Sequence, residues 1–158
     1  MGRSFAPGAD ATRAALVGAA AGADLLHLAC HGEFRADSPL FSALHLQGGT
    51  LTALDAERLP LAAELVVLSG CETALSDAAR DDEALGLARA FQIAGARRVL
   101  GGLWAIEDAA TANWMAAFHR QLASGATPAR ALGEIQRRFI AQGAPPFAWA
   151  AFVLHGDA

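Results

Sequence analysis

Cysteine is scarce in this sequence, which has only Cys30 and Cys71 among its 158 residues. Two cysteines are too few for a disulfide framework, so we expect a chain from a reducing compartment, the cytoplasm. No apolar run approaches the roughly 20 residues that span a bilayer. The N-terminus also lacks the charged start and apolar stretch of a signal peptide. These absences argue against a secreted disulfide-stabilised domain and against a membrane protein.

Basic residues are few and scattered, and they do not form a patch. The chain has 12 basic and 16 acidic residues, which gives a formal net charge of −4. A nucleic-acid surface needs clustered positive charge, and no stretch resembles a membrane-binding amphipathic helix. We therefore expect neither nucleic acid nor a membrane as a direct partner. Apolar residues make up 54% of the chain, which is enough for one domain with a real core.

Apolar strand patterns alternate with helical patterns along the chain. Nearly continuous apolar runs predict buried strands in "DLLHLAC", "ELVVLSGC", "RRVLGGLW" and "AWAAFVLHG", and "ALHL" predicts a shorter strand. Helices are predicted between them, with Asp10 and Thr127 as N-caps and Gly22, Gly95, Gly125 and Gly143 after their ends. This alternation predicts an α/β fold with a mostly parallel sheet and helices on both faces. We expect one domain over residues 1–158.

Three predicted strands end in residues that a buried strand does not need. The first ends in Cys30-His31-Gly32, the second in Ser69-Gly70-Cys71-Glu72, and the third runs through Trp104 into "AIED". In sheets of this kind, ligands bind at the carboxyl ends of the strands. If the first two strands are neighbours, His31 and Cys71 face each other at that edge.

A cysteine opposite a histidine suits nucleophilic catalysis. An imidazole close to a thiol favours the reactive thiolate. Acyl transfer also requires donors for the developing oxyanion, and the backbone N–H groups of Gly32 and Cys71 are candidates. Because glycine has no side chain, Gly32 lets a substrate carbonyl approach closely.

Other interpretations of these residues remain open. A cysteine or histidine at a strand end is often a packed, hydrogen-bonded residue without a chemical role. Cys30, His31 and Cys71 could also hold zinc, although neither Cys-x-x-Cys nor His-x-x-x-His spacing is present. A Cys30–Cys71 disulfide is geometrically feasible, but a reducing compartment disfavours it.

Four motifs in order resemble a known family. They are "HLACHG", "VVLSGCETA", "DEALGLARAFQIAGARRVLGGLWAIEDAAT" and "FAWAAFVLHGD", and together they are similar to the CHAT domain over roughly residues 10 to 158. CHAT domains are caspase-like cysteine peptidases, related to caspases and separase and often fused to TPR repeats. The resemblance implies a three-layer caspase-like sandwich with a Cys–His dyad.

The resemblance also implies roles for individual residues. The family's histidine falls on His31, its nucleophile on Cys71, and its oxyanion donors on the backbone of Gly32 and Cys71. The implied activity is cleavage of peptide bonds, without a metal or a cofactor. The implied partners are a protein or peptide substrate and a TPR-type or other protein.

The expected specificity pocket lies in "LWAIED". This stretch is similar to the separase segment that carries an acidic residue for an arginine before the scissile bond (P1), and that residue falls on Asp108. Asp108 also stands where a helix N-cap belongs, and Glu107 is the alternative for the pocket. Trp104 is expected to form an apolar wall of the pocket or to belong to the core. Glu72, directly after the nucleophile, is expected to organise the substrate loop.

The sequence departs from the family pattern in two places. The family's substantial segment before "ATRAAL" is almost absent, so we expect a domain truncated at its N-terminus. Ala74 replaces the family's usual glycine after "CET". The short start favours a second interpretation, a catalytically silent or latent regulatory or scaffold module that binds protein partners.

Overall fold

The computed structural model describes residues 11–33, 35, 37–70, 82–104 and 106–157, with the backbone alone for residues 82–85. Its strands in chain order are β1 Leu25–Leu28, β2 Gly32–Glu33, β3 Ala43–Leu46, β4 Gly49–Thr52, β5 Leu65–Leu68, β6 Arg98–Gly102 and β7 Phe152–Gly156. Its α-helices are α1 Arg13–Ala20, α2 Ala53–Ala56, α3 Asp82–Ile93, α4 Asp108–Ala123, α5 Pro128–Ala141 and α6 Pro146–Trp149. A short 3-10 helix covers Pro39–Phe41.

Four strands form the main sheet in the order β1-β5-β6-β7. The first three are parallel, and β7 pairs antiparallel with β6. Every residue of β5 is buried, as expected for a central parallel strand covered on both faces. Because β1 and β5 are neighbours with Leu28 opposite Leu68, their carboxyl ends lie side by side. The predicted α/β fold with a mainly parallel sheet is confirmed, and it is consistent with a caspase-like sandwich.

Strand alternation divides the core into two clusters, one on each face of the sheet. On one face, Leu26 and Leu28 of β1 pack with side chains from α1, α2 and α3, among them the buried Phe91. On the other face, Val67 of β5 packs with side chains from α4 and α5, among them the buried Trp114. These two layers of helices give the three-layer arrangement.

A second, antiparallel sheet continues from the end of β1. Its order is β2-β3-β4, and β2 begins at Gly32, directly after His31. The tight turn between β3 and β4 contains Gly48 with φ of 79°, a left-handed conformation that glycine adopts without strain. The strand predicted for "ALHL" is confirmed as β3, whereas its pairing with β2 and β4 was not predicted.

The predicted helix ends are mostly confirmed. The Thr127 hydroxyl accepts a hydrogen bond from the Arg130 N–H at the start of α5, as an N-cap should. For α1 the expectation is wrong, because Thr12 caps the helix, and Asp10 lies outside the described residues. The last predicted strand is also too long. Its first part forms α6, since Pro146 favours the first turn of a helix over a sheet position.

None of the helices in the described part of the chain has the length and apolar character needed to cross a membrane.

Candidate active site

A cavity of about 520 Å³ opens at the carboxyl ends of β1, β5 and β6. It is lined by His27, Ala29, Cys30 and His31 from the β1 end, Leu68, Ser69 and Gly70 from the β5 end, Gly102, Trp104 and Ile106 after β6, Asp108, Thr111, Ala112 and Met115 from α4, and Phe152 of β7. The cavity therefore lies where a parallel sheet is expected to bind its ligand.

His31 lies at the junction of the two sheets. Its side chain is exposed and borders the cavity. Its backbone carbonyl accepts a hydrogen bond of 2.8 Å from the N–H of His45 in β3. Because the peptide bond is planar and trans, the N–H of Gly32 points away from β3. The backbone at this point is thus fixed by the smaller sheet, and the Gly32 N–H does not pair with β3.

Gly70 packs directly against the backbone at the end of β1. A Cβ atom at position 70 would lie 2.5 Å from the Cys30 nitrogen and 2.6 Å from the Cys30 oxygen. Real Cβ atoms do not approach backbone atoms so closely, so only glycine fits here. The end of β1, which leads to His31, is consequently in contact with the end of β5, which leads to Cys71.

Cys71 and Glu72 lie outside the described residues, as does Ala74. Their predicted roles as nucleophile, second oxyanion donor and loop organiser therefore stay predictions. Gly70, the residue to which Cys71 is bonded, lines the cavity together with His31.

The Cys30 side chain faces the hydrophobic core, as strand alternation predicts. Its partly buried side chain packs against the core cluster that contains Leu26 and Leu28, although the residue also borders the cavity. Burial raises the pKa of the Cys30 thiol above its ordinary value. A thiol with a raised pKa forms little thiolate, so Cys30 is poorly suited to nucleophilic attack.

Trp104 and Asp108 both border the cavity. The Trp104 Nε1–H donates a 2.8 Å hydrogen bond to the Phe147 carbonyl, and the two rings stack with their centroids 5.8 Å apart. Trp104 is half-buried and also packs against the core cluster that contains Trp114, while its role as a wall of the specificity pocket stays a prediction.

The start of α4 separates the two candidate acids. Glu107 occupies the N-cap position and makes no hydrogen bond with its side chain there. Asp108 is the first helical residue, so its interpretation as the N-cap is wrong by one position. Both residues are exposed, but only Asp108 lines the cavity. Asp108 is therefore the better placed of the two for the predicted pocket.

Three polar side chains that were not predicted as site residues form a hydrogen-bonded chain at the cavity. His27 Nε2 lies 2.6 Å from Ser69 Oγ, and His27 Nδ1 lies 3.0 Å from His119 Nε2. His27 and Ser69 line the cavity. His119 belongs to α4 and contacts His27. One sequence signal pointed here: an imidazole inside the apolar strand "LLHL" requires a hydrogen-bond partner. The partner on α4, 92 residues away, has no such signal.

The environment keeps His27 neutral. Burial, and then the nearby His119, lower the pKa of His27 from 6.5 to about 4. Burial also lowers the pKa of His119. Two neutral imidazoles and a hydroxyl can satisfy both hydrogen bonds, each with a single shared proton.

No three His, Cys, Asp or Glu side chains of the described residues gather into a group that could hold a metal ion. The zinc alternative includes Cys71, which lies outside that part of the chain.

The parallel sheet, its two helical layers and the cavity at the strand ends define a caspase-like α/β sandwich. The chain belongs to the CHAT domain family, whose model matches residues 2–157. This family is related to caspase-like cysteine peptidases.

The curated relatives are large proteins. The chain is 36% identical to human tetratricopeptide repeat protein 28 over 133 residues, which is 82% of the chain and 5% of that protein. It is 36% identical to mouse tetratricopeptide repeat protein 28 over 111 residues, 68% of the chain and 4% of that protein. The chain therefore spans about a twentieth of the length of these relatives.

Proposed function

We propose that residues 1–158 form one CHAT domain that acts as a cysteine endopeptidase, with Cys71 as nucleophile and His31 as general acid and base. The observation that carries this proposal is the cavity bordered by both His31 and Gly70, the residue before Cys71. The contact between Gly70 and the Cys30 backbone supports it, because that contact brings the two functional strand ends together.

The proposed reaction has two steps. The Cys71 thiol gives its proton to His31, and the resulting thiolate attacks the carbonyl carbon of the scissile peptide bond. The protonated His31 then passes this proton to the departing amine as the C–N bond breaks and the thioester remains. Water then attacks the thioester while His31 takes its proton, which releases the carboxylate product and the free cysteine. The backbone N–H groups of Gly32 and Cys71 would stabilise the oxyanion in both steps.

Asp108 and Trp104 would bind the P1 side chain. A carboxylate can pair with a guanidinium through two parallel hydrogen bonds, which favours arginine over lysine. The indole of Trp104 would contact the apolar part of that side chain. Support comes from the position of both residues on the cavity wall.

A fluorogenic peptide library with varied P1 residues tests the proposal. Cleavage is expected for P1-arginine peptides, and Cys71→Ala should abolish it. Cys30→Ala is the matched control, since it removes the other thiol and should leave cleavage in place. Cleavage that survives Cys71→Ala would reject the mechanism.

A second function, a regulatory or scaffold module, is favoured by one finding. The curated relatives are named for tetratricopeptide repeats and not for a peptidase activity. Such a module would bind a protein partner without acylation of Cys71. An electrophilic peptide probe separates the two functions. A peptidase should be labelled on Cys71 by the peptide probe. A scaffold should be modified on Cys71 by the small reagent iodoacetamide but not by the peptide probe.

A further inference from the structure

The chain of hydrogen bonds from Ser69 through His27 to His119 joins three elements of the candidate site. Ser69 follows β5 and lies two residues before Cys71, while His27 lies in β1 four residues before His31. His119 lies on α4, the helix that begins with Asp108. Two hydrogen bonds, 2.6 Å and 3.0 Å long, therefore connect three elements of the site. These elements lead to the proposed nucleophile Cys71, to the proposed acid and base His31, and to the proposed pocket residue Asp108.

We propose that His27 is a positioning residue that holds the Ser69 side chain, and with it the strand end leading to Cys71, in register with β1. His119 has a secondary part, which is to orient the His27 ring. This inference rests on the proposed peptidase function. It assigns these residues no contact with the substrate.

The end of β5 is attached to β1 at several points. The Ser69 N–H donates a 3.1 Å hydrogen bond to the Leu28 carbonyl, and Gly70 packs against the Cys30 backbone. These two contacts involve only the backbone of both strands. The Ser69–His27 hydrogen bond adds the side-chain link, and it fixes the direction of the hydroxyl beside the cavity.

Packing alone does not account for the polar chain. The same face of the sheet is otherwise apolar, with Leu65, Val67 and Leu100 buried against α4 and α5. Burying hydroxyl and imidazole groups costs free energy unless each one is hydrogen-bonded, and apolar side chains would avoid that cost. The advantage of the polar chain is its geometry, because hydrogen bonds fix the relative positions of the groups that they join.

The arrangement also connects the sheet with the helix above it. The His27 and His119 rings lie with their centroids 4.9 Å apart and their planes inclined by 31°. Their hydrogen bond links ring nitrogen to ring nitrogen, so each imidazole orients the other. This hydrogen bond gives α4 and β1 a directional contact in addition to their apolar packing.

Two substitutions of His27 separate its two hydrogen bonds. The side-chain nitrogen of glutamine can take the place of Nε2, which faces Ser69, and that of asparagine can take the place of Nδ1, which faces His119. His27→Gln therefore keeps the bond to Ser69, and His27→Asn loses it. Both variants are neutral amides, so a role in general polarity or burial would affect them alike.

Steady-state kinetics on a P1-arginine peptide give the readout. We expect His27→Asn to lower kcat by roughly tenfold with KM nearly unchanged, because misplacing a reacting group slows the chemical step more than it weakens binding. His27→Gln is expected to stay within roughly threefold of the unsubstituted kcat. Ser69→Ala should behave like His27→Asn, and Ser69→Thr, which retains the hydroxyl, like His27→Gln.

Equal kcat values for His27→Asn and His27→Gln, at equal melting temperatures, would overturn the positioning role. If either His27 variant fails to fold, the Ser69→Ala and Ser69→Thr pair decides by the same criterion. His45→Asn and His45→Gln serve as controls, since His45 is an exposed histidine of β3 that does not line the cavity.

Failure of the peptidase function gives a different result. If the unsubstituted protein cleaves no peptide, the rate at which iodoacetamide modifies Cys71, located by peptide mapping, replaces kcat. Slower modification in His27→Asn and Ser69→Ala than in His27→Gln and Ser69→Thr would support the positioning role. Identical rates in all of them would overturn it.

Discussion

Gly70 and Cys30 are in backbone contact, with a Cβ at position 70 falling 2.5 Å from the Cys30 nitrogen. This contact brings together the ends of β1, which leads to His31, and of β5, which leads to Cys71. It explains why the short sequence before the predicted nucleophile contains a glycine, although Gly70 has no left-handed backbone angle. Glycine is required at position 70 because a side chain there would clash with the Cys30 backbone, and not because the backbone adopts a left-handed angle.

Gly70→Ala should separate the two strand ends. We expect it to lower the free energy of unfolding by about 1–3 kcal/mol, as overpacking does, and to reduce peptide cleavage more than that loss explains. Thermal unfolding and kcat together measure both effects.

Gly18→Ala is the matched control for that substitution. Gly18 lies in α1, where an added Cβ meets nothing within 4 Å. Because alanine favours a helix over glycine, this variant should be stabilised by about 0.5–1 kcal/mol. An equal loss of stability in both variants would contradict the account of Gly70.

Asp108 and Glu107 are adjacent acids of which one borders the cavity. Asp108→Asn keeps the shape of the side chain and removes its charge, so kcat/KM for P1-arginine peptides should fall by roughly tenfold or more. Glu107→Gln should have little effect on that preference. A loss of the preference in Glu107→Gln alone would assign the pocket to the other acid.

The free energy of unfolding should depend on pH through His27. Its pKa is about 4 in the folded chain against an ordinary 6.5, because burial and then His119 disfavour the charged ring. Between these values the unfolded chain binds the proton and the folded chain does not, so stability rises with pH. This contribution is fully present above about pH 6.5 and is lost as the pH falls through about 4. It amounts to on the order of 3 kcal/mol.

Denaturant unfolding of His27→Gln between pH 4 and 7 checks this linkage. The variant should show a flatter pH dependence than the unsubstituted protein. Some slope should remain, because burial also lowers the pKa values of His119 and His155. An unchanged slope in the variant would contradict the assignment to His27.

Trp104 is held by its hydrogen bond to the Phe147 carbonyl and by the stacked Phe147 ring. Trp104→Phe keeps an aromatic wall and removes the N–H donor, at a cost of about 1 kcal/mol in stability. If Trp104 contacts substrate, Trp104→Ala should additionally raise KM for P1-arginine peptides, whereas Phe147→Ala should raise it less. Unchanged KM in Trp104→Ala would leave Trp104 as a packing residue.

The fold was predictable because local signals agreed with the global arrangement. The four buried residues of β5 required a covered parallel strand, and Thr127 with Pro128 marked the start of α5. The antiparallel β2-β3-β4 sheet was less predictable. Its pairing depends on contacts between the 31–33 and 43–52 segments, and two-residue strands such as β2 carry no periodicity.

The site was predictable only in part. The sequence motifs predicted that His31, Trp104 and Asp108 belong to one site. In the structure all three residues line the same cavity. The chain from Ser69 to His119 was missed, because its links join residues 42 and 92 positions apart and depend on side-chain directions. Sequence patterns report which face a residue occupies, but they do not report which distant side chain it meets.

Detection of the acyl-enzyme tests the central claim most directly. The protein is mixed with a P1-arginine peptide ester, quenched in acid during turnover, and examined by intact-mass and peptide-mapping mass spectrometry. The account predicts a mass increase equal to the acyl group, located on Cys71, retained with Cys30→Ala and absent with Cys71→Ala. An acyl group on Cys30, or ester cleavage that continues in Cys71→Ala, would contradict it.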